Sequence, residues 1–422
     1  MCAFSAHTSS APYARDRSTV ITGARIARSA EVATHGVLSL RGSLIDDMAE
    51  PHDSAAHSSS KQNIALDLSG FLILPGLINA HDHLDFALFP RLGRGPWRNW
   101  REWAVEIYHP DDSPVKEHLR VPRETRFWWG GIRNLLCGVT TVSQHDRYLP
   151  AVFESEFPVH VPVEYGWAHS LADPVQAAER FRQTPDKSPF IIHLAEGTDA
   201  AAGAEFDELA SLMPLDDRVV LVHGVGLSTE QWQRMQQTGM GLVWCPVSNL
   251  FNLGQTLSLD RVQCLSNVAF GTDSPLTADG DMLDQLRFTA QDLGAPAHLL
   301  YRLVTTGASR LLHLTRGEGS LQPGHLASFM AVRDRQTDPA ATLVQISWRD
   351  VELVVESGRI VLSSPSLTER IPPELIDGME QIFVDGVERL VRAPVRELFQ
   401  QTLQALGYSP GLAGRKLTLS PV

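Results

Sequence analysis

Residues able to hold a metal ion or move protons recur in this chain at one kind of place, the end of a short apolar run. His81-Asp82-His83 closes PGLINAHDH, His193 closes PFIIH, His223 closes RVVLVH and Asp273 closes NVAFGTD. Alternate residues of an extended strand share a face, so His81 and His83 can address one ion if a twist or bulge makes them converge. In a chain with sixteen histidines, one His-x-His pair is weak evidence. The whole set weighs far more, because imidazoles and a carboxylate clustered with no ion among them are costly. Glu196, three residues past His193, reads by itself as a surface carboxylate. His145, in VSQHDR, is a substrate contact or a solvated loop residue. Trp97, Trp100, Trp103, Trp128 and Trp129 are available as a lid over an aromatic ring or as helix packing.

These runs need a scaffold that brings their ends together. From Phe71 to about Thr315, near-continuous apolar runs alternate with helical stretches: GVTTVS (138–143), PVHVPVEYG (158–166), PFIIHLAE (189–196), RVVLVHGVG (218–226), GMGLVWCPV (239–247) and NVAFGTD (267–273). That alternation predicts a parallel sheet buried on both faces. Counting FLILPGLINAH, seven strands are visible, and the strand missing from an eight-stranded barrel is expected between Val142 and His193. The fold class is therefore α/β: a TIM-like (β/α) barrel over 71–317, distorted or one strand short, with its active site at the C-terminal strand ends.

Both flanks read as β-structure. VITGARIA (20–27), GVLSLRGSLI (36–45) and IALDLSG (64–70) precede the barrel; SLQPGHLASFMAV (320–332) and VELVVESGRIVL (351–362) follow it. Neither flank has enough strands for a stable core, so 18–70 and 318–364 are expected to share one small β-sandwich. Residues 49–62 read as a mobile loop, 1–17 as a disordered leader, and 365–422 as a C-terminal helical extension.

The composition is that of a globular enzyme: 422 residues, 43% hydrophobic and 20% charged, with a net charge of −13. A negative field repels phosphates, which argues against nucleic acid or an anionic membrane surface as the main partner. No apolar run reaches the roughly 18 residues of a membrane helix. The four cysteines show no CxxC spacing, and three lie in apolar surroundings, so reduced, buried thiols in a cytoplasmic protein are expected. The expected partner is a small-molecule substrate, and the expected assembly is a homo-oligomer, most simply a dimer.

PGLINAHDHL (75–84) resembles the first-strand signature of the amidohydrolase superfamily. HLAEG (193–197), LVHGVGLS (221–228), CPVSNL (245–250) and GTDSP (271–275) resemble, in order, the later motifs of its cytosine, guanine and adenosine-analogue deaminase and triazine hydrolase branch. ASRLLHLTRGEGSLQPGHLASFMAV (308–332) resembles the segment leading out of the barrel into the β-sandwich; the similarity spans about residues 20–362. It implies that His81, His83, His193 and Asp273 bind one divalent ion, zinc by default with iron or manganese as alternatives, leaving a position for water. It also implies that Asp273 accepts a proton from that water, Glu196 carries a proton to a ring nitrogen, and His223 polarises the water or an oxyanion.

Some residues depart from the branch. Trp244 stands before Cys-Pro where the related deaminases carry His, making it either an apolar wall for the substrate or core. Asn249, in CPVSNL, is a candidate substrate contact. Ser328 replaces the usual Asp of the exit segment. No lysine closes a barrel strand, which favours one metal over two. There is no HExxH, PCxxC, GxxxxGK[ST] or GxSxG motif, excluding zincin, cytidine-deaminase, P-loop and nucleophile-elbow chemistry. The expected reaction is hydrolytic deamination of an N-heterocycle such as a purine, pyrimidine or triazine. The alternatives are ring opening of a cyclic amide or imidazolone, and a scaffold without activity, which the intact ligand set opposes.

Overall fold

The structure, a computed structural model, describes residues 18–50 and 64–421. The leader at 1–17, loop residues 51–62 and Cys2 lie outside the described residues. The N-terminal flank supplies β1 (Ser18–Thr22), β2 (Arg25–Ala27), β3 (Ala33–His35), β4 (Val37–Arg41), β5 (Leu44–Ala49) and β6 (Ile64–Asp67). Four of these lie side by side in the order β5-β4-β1-β6.

The run FLILPGLINAH is two strands, not one. β7 (Phe71–Pro75) belongs to the flanking sheet, and β8 (Leu77–Asp82) carries the first histidines. The break falls at Gly76, where a Cβ would lie 2.2 Å from Thr140 Oγ1, so this close approach requires glycine.

β9 (Val139–Gln144) pairs parallel with β8. β10 (Gly166–Ala168), β11 (Phe190–Leu194), β12 (Val219–His223), β13 (Gly241–Trp244) and β14 (Val268–Phe270) form a parallel sheet in sequence order. The strand absent from the sequence reading is β10, inside the interval where it was expected. The reading of 158–166 as a full strand is corrected: before Gly166, which opens β10, only His160 joins a ladder. Its N–H donates to Thr140 O at 2.8 Å and its carbonyl accepts from Val142 N–H at 2.9 Å. Pro158 and Pro162 on either side have no N–H to extend the pairing. On the far side, Asp273 N–H donates to His81 O at 3.0 Å, tying the segment after β14 to the end of β8.

Strand parity sorts the side chains. Val219 and Leu221 of β12 join the large core shared with the surrounding helices, whereas Val220 and Val222 join a second core with Ile78, Ala80, Ile191, Val243 and Ala269. The helix Thr306–Leu311 closes that inner core with Ala308 and Leu311. Near-continuous Val/Ile/Leu runs are what strands covered on both faces require.

The C-terminal flank adds β15 (Phe329–Arg333), β16 (Val351–Glu356), β17 (Arg359–Ser363), β18 (Glu380–Val384), β19 (Val387–Val391), β20 (Gly411–Leu412) and β21 (Arg415–Thr418). β7 pairs with both β2 and β15, so strands from both flanks do share a sheet. That sheet is larger than expected, running in the order β20-β21-β18-β19-β17-β16-β15-β7-β2-β3. It shares a core with the four-stranded sheet: Ile21, Leu38 and Leu66 pack among Ile73, Phe329 and Leu353.

The reading of 365–422 as a helical extension is therefore corrected. Asp385 (φ 44°) and Gly386 (φ 75°) form the two-residue turn between Val384 and Val387. Two successive left-handed residues make the turn that matches hairpin twist, and Asp-Gly supplies both. The main helix of this tail, Val395–Leu406, packs behind the helix Arg123–Leu136, where Trp129 Nε1–H donates to Thr402 Oγ1 at 2.8 Å. Cys137 and Cys245 are buried free thiols as expected, but Cys264 is exposed. Among the described residues, no helix is long and apolar enough to cross a membrane.

Candidate metal centre and cavity

The expected metal ligands come together at the C-terminal ends of the parallel strands. His193 follows Ile191 on the inner face of β11, as parity requires. β8 shifts register against β9 between Asn79 and Asp82, the irregularity needed for His81 and His83 to converge. His81 Nε2 and His83 Nε2 lie 3.4 and 3.5 Å from Asp273 Oδ1, and His81 Nε2 lies 3.1 Å from His193 Nε2.

His223 needs a different device. Parity with Val220 and Val222 would turn it toward the helices, but its backbone is left-handed (φ 75°) and its ring faces the site. Ala195 (φ 52°), just before Glu196, and Asp273 (φ 57°) are also left-handed. Such conformations cost non-glycine residues about 1–3 kcal/mol each and cluster at functional sites.

The tightest donor set is His81, His193, His223 and Asp273, whose ligand atoms all lie within 4.8 Å of one another. His223 thus stands among these donors, and His83, with Nε2 3.5 Å from Asp273 Oδ1, lies beside them.

The donor chemistry fits a divalent cation. His193 Nδ1 lies 2.6 Å from His169 O, and His223 Nδ1 lies 2.7 Å from Asn249 Oδ1. Both oxygens can only accept, so both Nδ1 atoms carry a proton, and in the neutral ring Nε2 is then the atom left to bind a cation. Burial pushes the His81 imidazole down to about 4 and that of His193 well below its ordinary value, so both are neutral near pH 7. Burial opposes ionisation of Asp273, but contacts with His81, His223 and His83 hold its carboxyl well below the usual carboxylate range. Ser248 Oγ–H and Thr277 Oγ1–H donate to Asp273 Oδ2 at 2.5 and 3.1 Å, leaving Oδ1 toward the imidazoles. Imidazole nitrogens around one carboxylate suit a dication, and the His81–His193 and His81–Asp273 separations of 3.1 and 3.4 Å are near the roughly 3.3 Å between ligands on Zn–N bonds of about 2.05 Å.

Glu196 lies just outside the nest and is 7% exposed, so the surface-carboxylate reading fails. Its Oε2 is 3.6 Å from His223 Nε2, and its Oε1 accepts from Asn252 Nδ2–H at 3.2 Å. Burial pushes its carboxyl up to about 7, against the pull of His223 and Asn252.

A cavity of about 520 Å³ opens above these groups, lined by His83, His145, His193, Glu196, His223 and Asp273 among others. His145 is buried with its ring 4.2 Å from that of His193, and neither of its nitrogens has a protein partner. It is therefore no solvated loop residue. Trp100 and Trp103 line the cavity, whereas Trp128 and Trp129 are core, so the tryptophan cluster divides between the two readings.

Two expected substrate contacts are corrected. Trp244 is fully buried away from the cavity, stacked edge-on against Phe270 with Nε1–H on Thr256 Oγ1 at 2.8 Å. Asn249 is buried behind His223 and holds that ring. Asn249→Ala should therefore keep the bound metal and lower kcat by about 10- to 100-fold, the scale for losing a group that orients a ligand or catalytic imidazole. Steady-state kinetics with metal analysis of the same sample decides; unchanged kcat would remove Asn249 from the site.

Sequence reasoning missed His169, Asn252, Ser248 and Thr277. His169 follows the three-residue β10, the strand that escaped notice. Ser248 lay within the quoted CPVSNL motif without a role.

The nest of bare imidazole nitrogens around a carboxylate, at the open end of a parallel β/α array, defines a metal-dependent hydrolase. The sequence profile of the amidohydrolase family matches residues 187–361. The 5-methylthioadenosine/S-adenosylhomocysteine deaminase of Moorella thermoacetica is 30% identical over 379 residues, covering 71% of this chain and 83% of that protein. Its counterpart from Pyrococcus furiosus is 22% identical over 377 residues, covering 71% and 85%. The chain belongs to the amidohydrolase family. Among solved structures, the zinc complex of atrazine chlorohydrolase from Arthrobacter aurescens superposes with a TM-score of 0.65 at 19% identity, covering 92% of this chain and all (100%) of that one. A zinc-bound adenosine deaminase from Xanthomonas campestris gives 0.63 at 19% identity, covering 92% and 97%. These two share the fold.

Proposed function

We propose that this chain hydrolytically deaminates an amino-substituted N-heterocycle, with its catalytic groups at the mouth of a TIM-like barrel capped by a β-sandwich from both flanks. The carrying observation is Glu196: a buried carboxyl on the cavity wall, with Oε2 3.6 Å from His223 Nε2 at the edge of the donor nest and Oε1 held by Asn252. Deamination needs a group that takes a proton from water and returns it to a ring nitrogen, and such a group works best with a pKa near the operating pH. The deaminase names of the sequence relatives support the same reading.

His81, His83, His193 and Asp273 are the proposed ligands, with His223 completing the nest; zinc is the proposed ion, in keeping with the zinc-bound fold relatives. A divalent cation held there supplies a Lewis acid that lowers the pKa of water toward about 7. Asp273 accepts the second proton of the attacking water, once its oxygen has bonded to carbon, and hands it to the departing amine. His223, with Nδ1–H committed to Asn249, offers Nε2 as an acceptor that orients a water hydrogen. In that tautomer it does not donate to an oxyanion, which narrows the role expected from sequence. Glu196 delivers one water proton to the ring nitrogen, making the attacked carbon electrophilic. The remaining hydroxyl proton passes to the departing amine, so water and the amino compound yield a ring carbonyl and ammonia. His145 faces the cavity as a polar substrate contact.

Purified protein should hold about one divalent transition metal per chain and release ammonia from at least one member of a panel of aminopurines, aminopyrimidines and aminotriazines. Two ions per chain by elemental analysis would overturn the single-metal assignment. Hydrolysis of cyclic amides without ammonia release across the amino panel would overturn deamination in favour of ring opening.

A further inference from the structure

Away from the donor nest, the cavity wall carries ionisable side chains that proton transfer does not use: Asp85, Arg123, Arg126 and Asp146. They are matched to one another. Arg123 Nε–H donates to Asp85 Oδ2 at 3.0 Å, and its Nη2–H donates to Asp146 Oδ2. Arg126 Nη1–H donates to Asp85 O at 2.9 Å, with Asp85 Oδ2 at 3.8 Å, and its Nε–H donates to Val121 O at 3.2 Å. Asp146 Oδ1 accepts from Arg147 N–H at 2.6 Å. Two guanidiniums thus meet two carboxylates, and this wall has no net charge. The same cavity is also lined by the apolar and aromatic surfaces of Phe86, Trp100, Trp103, Tyr108 and Leu119.

Resting on the deaminase reading, we propose that the substituent on the substrate's ring lies against this wall and is neutral and largely apolar, and that the same ring bearing a carboxylate is disfavoured. Both guanidiniums are already neutralised, so a ligand carboxylate reaching their remaining N–H groups would add a third anion beside Asp85 and Asp146. Displacing Asp85 instead is also costly, because at 7% exposure its carboxylate would stay buried without a partner. An ammonium group meets the converse obstacle, since both aspartates are already neutralised. Aromatic panels, by contrast, take an apolar group with no loss of polar contacts. Discrimination therefore arises from what the wall refuses as well as from what it binds.

The experiment compares 5-methylthioadenosine with S-adenosylhomocysteine on the metal-loaded full chain. The two share the adenine ring and the thioether, but one ends in a methyl group and the other in an amino acid with a free carboxylate. kcat/KM for ammonia release should favour the methyl compound by about tenfold or more. Calorimetric binding should follow the same order, a readout that needs no turnover. Asp146→Asn, which removes one of Arg123's two partners with little change of shape, should move the kcat/KM ratio about tenfold toward the carboxylate compound. S-Adenosylhomocysteine turned over or bound as well as the methyl compound would overturn the assignment of the wall and leave deamination standing. Binding in the expected order with no ammonia from either compound or from the wider amino panel would overturn deamination and leave the wall's preference standing.

Discussion

His193→Ala should lose metal and activity together, with kcat/KM falling on the order of 10⁴-fold or more toward the uncatalysed rate. The size follows from where His193 stands. Its Nε2 is 3.1 Å from that of His81, and its Nδ1–H is anchored on the His169 carbonyl at 2.6 Å. Alanine removes a buried, pre-oriented lone pair that no neighbour can replace. His145 comes close, but neither of its ring nitrogens is held by a hydrogen bond, so nothing orients a lone pair toward the nest. Elemental analysis and turnover measured on the same preparation decide the matter. A variant that keeps one ion per chain and near-normal kcat would remove His193 from the ligand set.

Glu196→Gln should separate chemistry from assembly: metal retained, kcat lowered by about 10²–10⁴, and substrate affinity changed less. The amide is nearly isosteric and can still accept from Asn252, but it cannot carry a proton. The same variant has a second expected effect. In metal-free protein, burial raises the Glu196 carboxyl from an ordinary 4.5 to about 7. Between those values the native state holds a proton that the unfolded chain releases. Stability from this group is therefore full below pH 4.5 and falls as pH rises through 7. At pH 8 the buried carboxylate costs about 3 kcal/mol, and Glu196→Gln removes that cost. Chelator-treated Glu196→Gln should thus unfold at higher temperature than chelator-treated wild type at pH 8, with the difference shrinking toward pH 4. Full turnover in Glu196→Gln would reduce Glu196 to a buried structural acid and deprive deamination of its main support. Equal stability at pH 8 would count against the desolvated carboxylate.

Much of the chemistry was legible because it rests on local pattern. A ligand must sit at a strand's C-terminal end, and apolar runs ending in His81, His193 and His223 announce that without any knowledge of which strands are neighbours. The family motifs carried Asp273 and Glu196 in the same way. Where patterns overlap, the reading failed. ELIDGMEQIFVDGVERL repeats apolar residues at spacings a helix also uses, and only the Asp385-Gly386 turn, with both residues left-handed, decides for a hairpin. The short β10 has too few residues to leave a periodic trace, so His169 behind it went unseen.

By itself, then, the sequence determined the parallel β/α array, the flanking β-structure and the candidate metal donors, because each follows from residue type, near-neighbour spacing or a local family motif. Only the tertiary structure decided which atoms face inward. Parity places His223 on the helix side of β12, and a left-handed backbone sustained by surrounding packing brings it to the nest beside Glu196. Trp244 and Asn249 lie at or near the end of the same array, yet β13 buries one and the following helix, Pro246–Leu253, directs the other against His223. The charge state of the cavity wall was likewise undetermined. Arg123 meets Asp85 and Asp146 across 38 and 23 residues of chain, a pairing that spacing does not encode and that only packing of the helix Arg123–Leu136 against the site creates.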